Sequence, residues 1–187
     1  MIFEQIIDRI YPLPDGSKHA LMDICQEKAL PKGARLLRAG RVENHFFFIK
    51  KGIARAFSIV NDTEITFWLG KEGDAVISMK SYIENLSGYE DIELLEDSIL
   101  YQLDSRQVQL LYARDLHIAN WGRKFAEKEL VKTEERLIAR EFRSAKERYL
   151  ELISRQPELL RRVPLGYIAS YLGITQVSLS RIRSEIR

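Results

Sequence analysis

The last 25 residues, VPLGYIASYLGITQVSLSRIRSEIR (Val163 to Arg187), constrain the fold of this chain more than any other stretch. Leu165, Ile168, Ala169 and Leu172 recur at i, i+3, i+4 and i+7, one apolar face of a two-turn helix. Pro164 falls in the first turn, where its missing N–H costs nothing. Gly173 is placed to end that helix, since it adopts φ > 0 without strain. Thr175 can then cap a second helix through its hydroxyl. In this second helix Leu179, Ile182 and Ile186 are predicted to face inward. Gln176, Ser180, Arg183, Ser184 and Arg187 share the opposite face, with Val177 and Arg181 beside them.

Two short helices joined by a glycine turn, with small Ala169 at their closest approach, resemble a DNA-binding helix-turn-helix. An ordinary helical hairpin is the alternative. Its outer face would not be expected to be rich in hydroxyls and arginine with no acid before Glu185. Charge points the same way. The segment 139–187 holds 10 Lys and Arg against 5 Asp and Glu, whereas residues 1–138 hold 19 against 22. A basic segment joined to an acidic one is the footprint of a nucleic-acid-binding module attached to something else.

Upstream the texture changes. Ile2 to Tyr11 and Ser17 to Lys28 read as two short amphipathic helices separated by PLPDG, with Cys25 a small buried hydrophobe on the second. From Ala29 to Leu103, short β runs alternate with turn signals, as in an all-β sandwich or barrel. The predicted strands are Ala34–Leu37, Phe46–Lys50, Gly52–Ile59, Glu64–Leu69, Ile92–Leu95 and Ser98–Gln102. The single cysteine excludes an intramolecular disulfide and every thiolate cluster, and His19, His45 and His117 lack partners at metal-ligand spacing. No catalytic pairing of nucleophile and base recurs, so an enzyme is not expected. No apolar run approaches the roughly 20 residues that span a bilayer. The opening MIFEQIIDRIYPLP lacks a basic n-region, so the cytoplasm is the expected compartment.

Asp104 to Arg140 is predicted to be one helix, capped by Asp104 or Ser105. Along it Ala119, Gly122, Ala126, Leu130, Thr133 and Leu137 form a narrow seam on which two helices could pair. Ile118, Trp121 and Phe125 lie beside the seam and would cover the barrel or a partner. The reading that competes is a helix lying on its own barrel alone. Glu141 to Gln156 then continues as an amphipathic helix with Phe142, Ala145, Tyr149, Leu152 and Ile153 inside, and Pro157 stops it.

LPKGARLLRAGRVENHFFFIKKGIARAF is similar to the opening of a cyclic-nucleotide-binding jelly roll, with Gly33, Gly40, the aromatic strand Phe46 to Ile49, and Gly52 at that fold's intervals. Gly73-Asp74 looks like the pair leading into its phosphate-binding cassette. With the terminal helix pair, the whole chain resembles the cyclic-AMP receptor / fumarate-nitrate regulator (Crp/Fnr) family of transcription regulators. The resemblance implies an α+β chain. Residues 1–110 would form a sensor jelly roll with flanking helices, 111–140 a dimerisation helix with a hinge near Ala139 to Glu141, and 141–187 a helix-turn-helix domain without a wing. The implied partners are double-stranded DNA, a second copy of the chain and RNA polymerase, with no membrane. Gln176, Val177 and Arg181 stand where the family reads bases, and only Arg181 keeps the family residue. Thr175, Ser178, Ser180 and Arg183 would position the DNA backbone, and Gly122, Ala126, Leu130 and Leu137 would form the dimer interface.

The cassette departs from the pattern. By distance from Asp74, the family's Gly-Glu pair becomes Ile77-Ser78, and its Arg-Ser/Thr-Ala run falls in Leu86 to Glu90, which contains no Arg. Lys80 is the only cation in the segment. Tight cyclic-AMP binding is therefore not expected, and no cofactor or metal is implied. Either Ser78, Lys80, Tyr82 and Tyr89 line a pocket for an unidentified small molecule, or Phe67, Trp68, Tyr82 and Tyr89 partly fill it. A sensing or protein-interaction module that has lost DNA binding is the rival reading, favoured by the absence of a wing.

Overall fold

The structure, a computed structural model, describes residues 1–186. Two helices, α1 (Phe3–Ile10) and α2 (Asp15–Asp23), precede a β sandwich. Its strands are β1 (Cys25–Leu30), β2 (Arg35–Leu37), β3 (His45–Lys51), β4 (Ala54–Val60), β5 (Thr63–Gly70), β6 (Ala75–Val76), β7 (Asp91–Leu94) and β8 (Ser98–Asp104). A short helix α3 (Met79–Glu84) lies between β6 and β7. One antiparallel sheet runs β1-β8-β3-β6 and the other β2-β7-β4-β5. Six helices follow: α4 (Ser105–Arg114), α5 (Leu116–Phe142), α6 (Ala145–Arg155), α7 (Leu159–Arg162), α8 (Leu165–Tyr171) and α9 (Gln176–Ile186).

Strand β3 explains the layering. Its alternate residues Phe47 and Ile49 enter the core between the sheets, with Leu37, Ala56, Ile92 and Leu100. Phe46 and Phe48 point the other way, into a second core built by α1, α2, α4 and α5. A strand buried on both faces reads as a continuous apolar run, as HFFFI does. On the helical side Trp121 is fully buried, and its indole N–H donates to the Ile7 carbonyl at 3.1 Å. Phe125 stacks on Trp121, and both rings meet Phe48 edge-on.

The structure departs from the sequence pattern at several places. The second helix ends at Asp23, and Cys25 to Leu30 form a strand paired residue by residue with β8. Cys25 is therefore a half-buried strand residue, and burial pushes its thiol up to about 12. The two-residue strand β6 was also not foreseen. The helix expected over 104–140 is two helices: Asp104 caps α4, and Asp115 breaks the run and caps α5 by accepting from the His117 and Ile118 N–H groups. Ser17 donates to the same Asp115 carboxylate at 2.7 Å, anchoring the corner to α2. Helix α5 runs on to Phe142, so the interruption before α6 lies at Arg143-Ser144, beyond the predicted hinge, where Ser144 and Glu147 form a capping box. Phe142, expected inside, is 83% exposed.

The C-terminal helices dock on the sandwich. Ile53, Leu69 and Leu95 share one apolar cluster with Tyr149, Leu152, Leu159, Val163, Ile168, Leu172 and Leu179. Around it, Arg162 of α7 donates to Glu72 at 2.7 and 3.0 Å and to Glu96 at 2.5 and 3.2 Å, and Lys71 pairs with Glu158. The Thr66 N–H donates to the Ser170 hydroxyl at 2.9 Å. The buried Arg55 guanidinium is held by Glu93 and Glu64 and lies 3.6 Å from the centroid of the Tyr167 ring.

Glu72 is the titratable centre of this contact. Partial burial pushes its carboxyl up, but the Arg162 guanidinium and the Gly52 N–H outweigh burial and hold it at about 2, against an ordinary 4.5. A carboxylate depressed on folding contributes stability that is present above its unfolded value and lost as pH falls through its folded one. Glu72→Gln is expected to lower the urea midpoint at pH 7. Its deficit should shrink steadily as pH falls from about 4.5 towards 2, in parallel denaturation series of the two proteins. A deficit independent of pH would remove Glu72 from the contact.

Candidate nucleic-acid interface

The terminal helix pair is set by local chemistry. Pro164, extended at ψ 140°, is the N-cap residue of α8 and not its first helical residue. Gly173 at φ +69° closes the helix, with its own N–H bonded to the Ser170 carbonyl and the Ile174 N–H to that of Ala169. Arg148 of α6 donates to the carbonyls of Arg143 and Leu172, tying the start of α6 to the end of α8. Thr175 then caps α9, its hydroxyl accepting from the Ser178 N–H at 3.1 Å and lying 3.0 Å from the Ser178 hydroxyl. Leu179 is fully buried and Ile182 packs partly against the same core. Ile186, predicted inside, is 37% exposed.

Gln176, Val177, Ser180, Arg181, Arg183 and Ser184 all lie exposed on α9, and Val177 is 65% exposed. Arg187, assigned to the same face, lies outside the described residues. Glu185 is paired with Lys146 at 3.1 Å, so the acid at the end of the helix is neutralised. Arg181 and Arg183 make no ion pair among the described residues. Of the four residues expected to position a DNA backbone, Thr175 and Ser178 have their hydroxyls engaged in the cap, whereas Ser180 and Arg183 are open. What remains is an exposed face of amide, aliphatic, hydroxyl and guanidinium groups on a helix whose opposite side is locked into a core.

The expected dimer residues divide. A Cβ at Gly122 would come within 2.4 Å of the Tyr112 ring, so the close approach that this glycine permits is made to α4 of the same chain. Burial pushes the Tyr112 phenol far up, with Tyr82 beside it adding to the effect. Beyond Phe125 no residue of α5 is buried. There Ala126, Leu130 and Leu137 are exposed, with Val131, Ile138 and Phe142 also open, and Leu130 is 70% exposed.

The cassette residues also separate. Gly73, at φ +87°, and Asp74 form the expected turn, with the Asp74 carboxylate accepting from the Lys71 N–H at 3.0 Å. Ser78 is buried with no partner for its hydroxyl, and Tyr82 packs on Phe46. Lys80 and Tyr89 lie on the surface instead. Phe67 and Trp68 pack on the core between the sheets. A Cβ at Gly88 would come within 2.5 Å of the Ser78 hydroxyl and 3.0 Å of the Glu90 carboxylate, which is itself buried. The segment that carries the family's Arg thus holds a glycine without room for a side chain and a buried acid. Among the described residues no three His, Cys, Asp or Glu side chains gather as a metal site would, and no helix is long and apolar enough to cross a membrane.

Arg162, Glu72 and Glu96 were not foreseen as a group. They are 66 and 90 residues apart, and each is one charge among many in the sequence.

No protein-family model matches the sequence, and no curated protein matches it significantly. Solved structures do. The chain is similar to a putative Crp/Fnr-family transcriptional regulator from Eubacterium rectale, at 15% identity and a TM-score of 0.72, over 93% of this chain and 85% of that one. FixK2 from Bradyrhizobium japonicum gives 17% identity and a TM-score of 0.71, over 87% and 84%. The catabolite activator protein of Thermus thermophilus gives 18% and 0.59, over 95% and 85%. From its sandwich to its terminal helices, the chain has the fold of the Crp/Fnr transcription regulators.

Proposed function

We propose that the protein is a homodimeric, sequence-specific DNA-binding transcription regulator of the Crp/Fnr family, with double-stranded DNA and RNA polymerase as partners. In this reading the chain through α4 is a sensor domain, α5 the dimerisation helix and 143–187 a helix-turn-helix domain. The observation that carries it is the α9 surface: Gln176, Val177 and Arg181 stand exposed on a helix held from behind by Leu179. Arg181 reads guanine, Gln176 suits adenine, and Val177 meets a thymine methyl. Ser180 and Arg183 meet the phosphates, and the capped first turn of α9 presents its backbone N–H groups there as well.

The dimer forms along the second half of α5, where Ala126, Leu130 and Leu137 share one open face of the helix. The sensor does not take cyclic AMP. Its phosphate would meet the buried Glu90 carboxylate, and the segment that holds Glu90 carries no arginine to offset it.

Four measurements test this. Arg181→Ala is expected to weaken specific binding by about 1–3 kcal/mol per half-site and to relax preference at one symmetric base pair of an inverted repeat, read on a randomised half-site library. Affinity should fall steeply with salt, and an affinity indifferent to ionic strength would assign α9 to protein contacts instead. Leu130→Glu and Leu137→Glu should each sediment as monomers, because each places a charge in the two-fold contact. Gly122→Glu is not diagnostic, since it strikes Tyr112 of its own chain. Calorimetry with cyclic AMP should give no constant tighter than about 1 mM, and a micromolar one would overturn the reading of the cassette.

A further inference from the structure

A cleft of about 250 Å³ opens where α1, the turn leading into β6 and the middle of α5 meet. It lies on the helical side of the sandwich, apart from the segment between β6 and β7 that holds Ser78 and Glu90. Its floor is apolar: Phe48 and Phe125 both line it, and both are at least nine-tenths buried. Its rim is charged, with Arg9, Lys128 and Lys132 facing Asp74 and Glu129.

These charges do not cancel. Lys132 lies 2.7 Å from Glu129 and 3.7 Å from Asp74, so both acids are engaged by one cation. Arg9 and Lys128 make no ion pair among the described residues. Arg9 donates one N–H to the Gly73 carbonyl at 2.8 Å, and Lys128 donates one to the Arg9 carbonyl at 2.7 Å. Each therefore keeps donors free beside the cleft, and each is held in place by a backbone bond instead of sweeping through solvent. Gly73 contributes by what it lacks. A Cβ there would come within 2.9 Å of the Arg9 guanidinium, which lies against the bare backbone.

We propose that this cleft is a binding site for a small organic anion, a carboxylate on a compact apolar body. The carboxylate accepts from Arg9 and Lys128, and the body lies on Phe48 and Phe125. A cation is repelled by the rim. An inorganic anion would satisfy the rim and leave the space above Phe48 and Phe125 unfilled, whereas an acid with one ring occupies both. A cleft of this size admits a ligand of roughly ten non-hydrogen atoms, and so small a ligand binds in the millimolar range or somewhat tighter. The site stands independently of the DNA-binding reading, because none of its residues lies on α9. Its occupant would touch α1, the turn next to Glu72, and the helix that carries Leu130.

Calorimetry on the full chain with benzoate as probe and benzamide as its uncharged counterpart tests the proposal. Benzoate should bind saturably, one per chain, and benzamide at least about tenfold more weakly. Lys128→Gln should weaken benzoate by about tenfold, and it leaves folding intact because the lysine reaches only one surface carbonyl. Arg9→Gln should do the same, with its melting curve recorded alongside because the Gly73 bond is lost. Equal binding of benzoate and benzamide, no saturable binding of either, or unchanged benzoate affinity in Lys128→Gln would each overturn the site.

Discussion

Everything in this chain hangs on one strand being buried on both faces. Because β3 turns Phe47 and Ile49 towards one core and Phe46 and Phe48 towards another, the sheet β1-β8-β3-β6 is covered on both sides at β3. The N-terminal helices and the first half of α5 must then cover its outer side. Trp121 fixes how they do so, since an indole N–H fully removed from water needs an acceptor, and the Ile7 carbonyl supplies it. The same packing leaves the second half of α5 without a buried residue.

The other organising contact is polar. Arg162 reaches two carboxylates that flank the region between β6 and β7: Glu72 stands just ahead of Gly73, and Glu96 just after β7. Partly buried, bidentate and tied to a further N–H at Gly52, this group is far from the solvent-exposed ion pairs whose worth is small. Helices α6 to α9 are thereby seated against the sandwich at the two ends of the segment that runs from β6 to β7.

Much of this architecture was legible because it is written in local patterns. The glycine at 173, the threonine cap at 175 and the spacing of Ile168, Leu172 and Leu179 describe the terminal helices, and six of the strands announce themselves by β-rich runs between turns. The misses have common physical causes. CQEKAL carries no alternation of apolar and polar residues, and only pairing with β8 makes it a strand. Asp115 reads equally well inside a helix or at its start, and the Ser17 hydroxyl, 98 residues away, settles it as a cap. Gly122 has the spacing of a seam residue, but Tyr112 claims its open side. The Arg9 cleft and the Arg162 contact draw on residues far apart in sequence, and no window of sequence contains either one.

The bond between Ser170 and Thr66 carries one more consequence. Strand β5 is the outermost of its sheet, so its outer row of backbone groups has no neighbouring strand. An open row of that kind is a template for another chain. In this protein α8 lies along it, and a serine hydroxyl takes up the Thr66 N–H. Whatever lifts the terminal helices away would also uncap a strand that carries Ile65, Phe67 and Leu69. The helix pair is thus a guard against misassembly of the sandwich as well as the bearer of the α9 surface, and any rearrangement that frees it must either keep that row covered or expose it only briefly.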